Sequence, residues 1–298
     1  MPNRAALYPS QACKHKPSRR ASSTCRSETL HPFVIRVRPG RTFPVTARFR
    51  IVSEADDPAV ERFHDLLERT FADKNLTSDL ETLRWQVRNR VNHRRIHFLV
   101  VAEERRRLVG GTLFTYVITA NTAFSDYLVL EPAARGRGLG RELFNRRADI
   151  LQKAANLFGR SQCLGVMIEV ANPLRMTPRQ RQAEAMSALD PVQRRRMFAH
   201  MGFLQVPVNY VQPPSRPGGK AVKYTDLLFH PMDPEVRRTL TVPARALYET
   251  VAAVWAGVPA ARPYLRRLRQ ELGDDAVPLV PVAGLNQPLP QAQGQEGQ

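Results

Sequence analysis

An α/β fold, with a central sheet flanked by helices and a helical C-terminal extension, is predicted by three observations on this 298-residue sequence. From Val45 onward, apolar runs of strand length are interleaved with segments whose apolar residues recur at helical spacing. One run, "CLGVMIEV" from Cys163, is apolar almost throughout, as in a strand covered on both faces. A glycine-rich stretch, "RGRGLGR" at residues 135–141, stands where a strand passes into a helix.

The elements follow in order. "VTARFRIV" alternates like a strand, and Ser53 to Pro58 turns the chain into a helix carrying Val60, Phe63, Leu66, Leu67 and Phe71 on one face. A second helix starts near Asp79. Two strands, "HFLVVAEE" and "LVGGTLFTYVITA", are joined by a charged turn at Arg105 to Arg107, and a third runs from Phe124 to Leu130 into the glycine stretch. The next helix has apolar stripes at Leu143, Ile150, Ala154 and Leu157 and at Phe144, Leu151, Ala155 and Phe158, a face wide enough to pack on a sheet. After the buried strand, a polar helical insertion spans Pro173 to Leu189. Asp190-Pro191 offers an N-cap and a first-turn proline, and Gly202 an exit, which frames a short helix. Two strands, "FLQVPVNYV" and "KAVKYTDLLFH", complete the sheet. Beyond Pro234 the pattern is helical to about Leu272, broken at Pro243 and Pro259. Its Tyr248, Val251, Ala252 and Trp255 suit packing on the main domain or on a second copy in a homodimer.

Composition narrows the function classes. The formal charge is +18, yet residues 1–50 hold 11 Lys/Arg against Glu28 alone, leaving +8 for the rest. Residues 1–42 are basic, Ser-rich and poor in apolar groups, which predicts a disordered leader. Residues 274–298 read as a disordered tail, of low complexity over "PVAGLNQPLPQAQGQEGQ". The body's modest excess suits a polyanionic cofactor, and nucleic acid is not the expected partner, since the strongest basic stretch lacks interleaved aromatics. Three cysteines without a CxxC argue against a disulfide or zinc scaffold and fit a cytoplasmic protein. No apolar stretch is long enough for a membrane helix.

The glycine stretch predicts a phosphate site. A helix N-terminus presents unpaired N–H groups and partial positive charge, and glycines let them approach an anion closely. Walker A fails because no Lys-Ser or Lys-Thr follows, and the dinucleotide fingerprint fails because Arg141 stands at its last glycine. The pyrophosphate pattern (Q/R)xxGxG(A/G) is met at Arg135, Gly138 and Gly140 and departed from only at its last position, where Arg141 stands. In this setting "YLVLEPAARGRGLGRELF" resembles motif A, and "RRRMFAHMGF" resembles motif B, of the GNAT N-acetyltransferase superfamily. The resemblance covers residues 46–231, with 232–273 as a C-terminal helical extension. It implies the GNAT fold with a mixed central sheet and acetyl-CoA as co-substrate. Leu128, Val129 and Leu130 would then meet the pantetheine arm, and Gly136, Arg137, Gly138, Leu139, Gly140 and Arg141 the pyrophosphate. Arg146 and Arg147, further along the helix, are expected in solvent.

Transfer to an amine needs its neutral form, and an amine like that of lysine has a pKa of about 10.4, so a carboxylate must take the proton. Glu169 interrupts an apolar strand, where a buried charge is costly without a purpose. It is the first catalytic candidate, with a pairing to Arg175 or Arg195 as its structural alternative; Asp126 is the second. The resemblance implies a tyrosine acid four residues before Gly202, where Phe198 stands; Tyr210 and Tyr224 are substitutes or core residues. His93 and His97 have the spacing of helical metal ligands but lack a third partner, so solvated histidines and no metal are expected. Cys163 reads as core. The acceptor is a small-molecule or peptide amine. The alternatives are a nucleic-acid-binding or acyl-CoA-sensing protein on a non-catalytic GNAT scaffold. Removing residues 1–42 is expected to leave the melting temperature and CoA affinity unchanged, because that segment has too little apolar surface to join a core; differential scanning calorimetry of the truncated chain checks this.

Overall fold

The computed structural model describes residues 47–187, 189–215 and 218–285. The expected leader, 1–42, and the last part of the expected tail lie outside the described residues.

Among the described residues the strands and α-helices run in chain order: β1 (Arg48–Val52), α1 (Pro58–Thr70), α2 (Leu80–Arg88), β2 (Arg95–Glu104), β3 (Arg107–Val117), β4 (Thr122–Leu130), α3 (Leu139–Leu157), β5 (Gly165–Ala171), α4 (Pro178–Ser187), α5 (Pro191–His200), β6 (Leu204–Gln205), β7 (Thr225–Pro231), α6 (Pro234–Thr239), β8 (Thr241–Pro243), α7 (Ala244–Val254), α8 (Arg262–Leu272) and β9 (Ala276–Pro278). Aspartates open the helices as the sequence suggests. Asp57, Asp79 and Asp190 each accept a first-turn N–H, and Pro58 and Pro191 hold the backbone angle that helix entry needs.

Seven strands form one sheet in the order β1-β2-β3-β4-β5-β7-β6. Every neighbouring pair is antiparallel except β4 and β5, which run parallel across the α3 crossover. Both faces are covered, which is why β2 and β5 read as apolar runs. On one face α3 buries Leu143, Leu151, Ala154 and Ala155 against Phe114, Tyr116, Val166, Ile168 and Leu228. On the other, α1 and α2 bury Phe63, Leu66, Leu67 and Leu83 against Val101, Leu113 and Val129. That second face is completed by the C-terminal helices: Leu247, Val251, Trp255 and Leu268 share a core with Phe124, Met167, Leu227 and Phe229.

Several expectations change. The strand expected over "FLQVPVNYV" shrinks to β6, because Pro207 cannot donate to a ladder. Its Val206 and Tyr210 are buried all the same. The strand expected from Lys220 begins only at Thr225. The tail expected from residue 274 starts inside the fold, where β9 pairs with β8 and Val277, Leu279 and Val282 are buried. The alternation of Val277 and Leu279 with exposed neighbours was hidden by the surrounding prolines. His97 lies in β2, on the strand expected there, but is buried rather than solvated.

Arg175 and Arg195, the partners considered for Glu169, instead bind Asp226 of β7. Arg175 Nη1 lies 3.0 Å from Oδ1, Arg195 Nη2 3.0 Å from Oδ2, and Asn172 Nδ2 donates to Oδ2 at 2.7 Å. Arg195 has no exposed surface. Replacing Asp226 by alanine leaves that charge buried without its partner, and is expected to cost about 3–5 kcal/mol in urea denaturation.

Candidate active site

The site begins with a break in the sheet. Only three residue pairs join β4 to β5, Ala123–Val166, Phe124–Met167 and Ser125–Ile168. The β3–β4 register also slips at this level: Phe114 faces Ser125 and Leu113 faces Tyr127, which leaves Asp126 as the extra residue of a β-bulge. A bulge bends its strand and increases the local twist. Beyond it β4 stays paired with β3, but its other edge, from Asp126 to Leu130, carries no ladder to β5. Asp126 and Glu169 are the first residues past the last rung.

At the far end of this edge lies the glycine loop. Gly138 takes the left-handed conformation at φ 84° and caps α3, and Gly136 has φ 74°. A Cβ added at either would meet no atom within 4 Å, so the backbone in front of the helix is open. The first helical N–H groups, from Leu139 to Arg141, precede the first α-helical bond, which Glu142 donates to Gly138. Gly136, Arg137 and Gly138 are exposed while Leu139 anchors the helix in the core. Arg137 is held by Glu104 at 2.6 Å. A cavity of about 900 Å³ opens beside the loop, lined in part by Arg69, Arg105, Arg107 and Arg137. Leu128 and Leu130 turn half-buried side chains toward the α3 layer, and Val129 is buried under α1. The loop and edge therefore fit a phosphorylated, elongated co-substrate such as acetyl-CoA.

The two carboxylates share the face covered by α1, α2 and α7. Glu169 Oε1 accepts a hydrogen bond from Tyr210 Oη, which in turn accepts one from Trp255 Nε1 at 3.3 Å. Burial pushes Glu169 up to about 8; the tyrosine donor opposes the shift and the charge of Asp126 adds to it. Burial likewise raises Asp126 to about 7, against the pull of Thr115 and of Arg95. Thr115 Oγ1 donates to Asp126 Oδ2 at 3.2 Å and lies 2.9 Å from His97 Nδ1. Burial, reinforced by the charge of Arg95, depresses His97 to about 3, so it stays neutral at working pH. Two acids in mutual reach lose their protons in two steps that belong to the pair.

A strap crosses this face. Tyr224 Oη donates to Asp73 Oδ2 at 2.8 Å, Ser215 Oγ to Asn75 O at 2.5 Å, and the Lys220 N–H to Asn75 Oδ1 at 2.9 Å. These bonds tie the segment before β7 to the α1–α2 connection. Tyr224 is thereby engaged with the strap, while Tyr210 faces Glu169. Phe198 packs edge-on to Phe203, ring centres 5.1 Å apart. Thr115 was missed by sequence reasoning, which read His97 as solvated and Trp255 as a packing residue; His97, a polar residue inside "RIHFLVV", carried the same signal that singled out Glu169.

Arg147 requires a correction. It is not solvated but 2% exposed on the sheet-facing side of α3, one four-residue step from both Leu143 and Leu151. Arg146 does face solvent, paired with Glu142 at 2.9 Å. Among the described residues no three His, Cys, Asp or Glu side chains gather as a metal site. No helix among them is long and apolar enough to cross a membrane.

The strand pair thus splits over a glycine-loop helix, with a covered acidic pair at its apex. Residues 60–165 match the model of the acetyltransferase (GNAT) family, so the chain carries a GNAT acetyltransferase domain over that stretch. The match takes in the glycine loop and Asp126 and ends before Glu169. No curated protein matches the sequence. Among solved structures, the chain is similar to a GNAT-family protein from Bacteroides thetaiotaomicron at 17% identity, covering 72% of this chain and 98% of that one, with a TM-score of 0.46. It is also similar to the ribosomal-protein-S18-alanine N-acetyltransferase of Escherichia coli (16% identity, 63% and 97% covered, TM-score 0.39). A third is the aminoglycoside 6'-N-acetyltransferase of Enterococcus faecium (16% identity, 63% and 98% covered, TM-score 0.40). Likenesses this distant do not bear on the acceptor.

Tyr210 is the donor that holds Glu169 below the value burial alone would set. Removing its hydroxyl in Tyr210→Phe is expected to raise the Glu169 titration above about 8. Carbon NMR of labelled glutamate checks the direction; a downward move contradicts the assignment.

Proposed function

We propose that the protein transfers the acetyl group of acetyl-CoA to the primary amine of a small molecule or peptide, with Glu169 as the base that frees the amine. The observation carrying this reading is the placement of Glu169: the first β5 residue past the last β4 rung, bound to a tyrosine rather than an arginine, and raised to about 8. A base works best with a pKa near the operating pH, and this carboxyl lies there. The backbone N–H groups of Leu139, Gly140 and Arg141, with Gly136, Arg137 and Gly138 leaving the approach open, would hold the pyrophosphate. The edge of Leu128, Val129 and Leu130, which has no ladder to β5, would take the pantetheine arm. When bound, acetyl-CoA supplies the activated acyl carbon.

Asp126 supports the base. While ionised it keeps Glu169 protonated to higher pH, and its link through Thr115 to His97 fixes its orientation. The strap from Asp73 and Asn75 to Tyr224, Ser215 and Lys220 favours a compact amine or a chain end over a folded surface. The free thiol of Cys163 supports a cytoplasmic setting.

The test is turnover with a panel of amines. Only ionised Glu169 accepts a proton, so kcat/KM is expected to rise with pH through about 8. Glu169→Gln is expected to lose about 10²-fold or more at neutral pH with CoA affinity unchanged, and to recover part of the rate at high pH as free amine forms unaided. A stable Gln variant with full activity at neutral pH would pass the role to Asp126. Gly138→Val places a Cβ in the space kept for phosphate at a φ that valine resists, and calorimetry is expected to show weakened CoA binding with the fold intact.

A further inference from the structure

The most anomalous charge in the fold lies on α3. Arg147 occupies a position between Leu143 and Leu151 where the sheet is met by apolar side chains. Its Nη1 donates to Ser125 Oγ at 2.6 Å, its Cζ lies 4.7 Å from the centre of the Phe144 ring, and Nη2 is buried with no acceptor. Among the described residues no carboxylate stands within ion-pair distance of it. Burial pushes the guanidinium down to about 9, and it keeps its charge at neutral pH. A buried charge left without a counter-ion is strongly unfavourable, and an apolar residue of similar volume would serve core packing better. Packing alone therefore leaves the residue unexplained.

Its location suggests what it serves. The side chain lies back over Phe144, toward the glycine-loop end of α3, as helical side chains do. Eight residues of helix, about 12 Å, separate it from Leu139 at that end. This brings it level with Ser125, the last β4 residue paired to β5. The guanidinium thus sits beneath the apex of the split on the α3 face, opposite the carboxylates. Two other titratable or charged groups stand near it. His230 of β7 lies with its ring 5.0 Å from that of Phe144 and is depressed to about 4 by burial and by the Arg147 charge, hence neutral; Arg146 turns outward to Glu142.

A co-substrate anchored at the glycine loop, with its arm along the free edge of β4, ends at this apex. Building on the acetyl-transfer reading, we propose that Arg147 holds the negative charge of the CoA sulfur as the thioester breaks. Glu169 first takes the ammonium proton and returns it to solvent; the free amine's nitrogen then bonds to the acetyl carbon, the C–S bond breaks with its electron pair passing to sulfur, and the nitrogen's second proton goes to Glu169. The thiolate leaves paired with Arg147 and is protonated by water. The guanidinium supplies by charge what Phe198, lacking a hydroxyl, does not supply by proton.

The experiment titrates the thiol of CoA bound to the full chain by its ultraviolet thiolate absorbance, and compares CoA with acetyl-CoA affinity by calorimetry. An ordinary thiol titrates at about 8.5, and an adjacent cation lowers it by about one unit or more. Bound to the wild type, CoA is expected to show that lowering, Arg147→Met to abolish it, and Arg147→Lys to keep it. The methionine variant is expected to melt at the same temperature or higher, since it removes an uncompensated buried charge. An unshifted thiol in the wild type, or an unchanged midpoint in Arg147→Met, overturns the proposal while leaving acetyl transfer intact. A preference for succinyl-CoA over acetyl-CoA that Arg147→Met abolishes would assign the guanidinium to an acyl carboxylate and overturn the thiolate role. A wild type that binds no CoA overturns the acetyl-transfer reading as well.

Discussion

The structure turns on a single failure of hydrogen bonding: β4 and β5 run together for three rungs and then part. Backbone groups in a protein interior are almost always paired, and an edge in the middle of a sheet that has no ladder to its neighbour stands out against that rule. The bulge at Asp126 is the local cause. It inserts one residue opposite β3, bends β4 away, and puts a carboxyl at the branch point. Everything around the opening is placed by it: the glycine loop at one end of the free edge, and the acids at the other.

The acids are held by opposing influences. Lack of solvent favours their neutral forms, while Tyr210, Thr115 and the charge of Arg95 favour ionisation. The outcome places both near neutrality, where a carboxyl can exchange protons in either direction. Arginines are kept at a distance from Glu169. Arg175 and Arg195 are taken up by Asp226 on the next strand, and Arg95 is turned to the carbonyls of Ala253 and Val254 at the end of α7. A direct ion pair would have locked the glutamate in its charged form.

What the sequence showed and hid follows from the range of each cause. The glycine loop is legible because left-handed backbone angles and a helix start are local matters. Glu169 and Asp126 stand out because an acid in an apolar run has to be explained wherever it points. The split is not legible, since a bulge exists only relative to the neighbouring strand. Arg147 was within reach: its four-residue spacing from Leu143 and Leu151 puts it on the buried stripe, and its charge argued it outward. The strand pair of β8 and β9 was masked by prolines, which sit on its exposed side.

The indole of Trp255 reaches Tyr210, and through it Glu169, from the last turn of a segment that looks like an appendage. The carboxylate pair is thus part of one mechanical unit with residues more than eighty positions further along the chain. Anyone trimming this protein to a minimal domain at residue 231 would keep every element of the main sheet, the whole glycine loop and Tyr210, and would discard the Trp255 indole that bonds Tyr210 behind Glu169. The apparent accessory is one of the walls that close around the buried carboxylates.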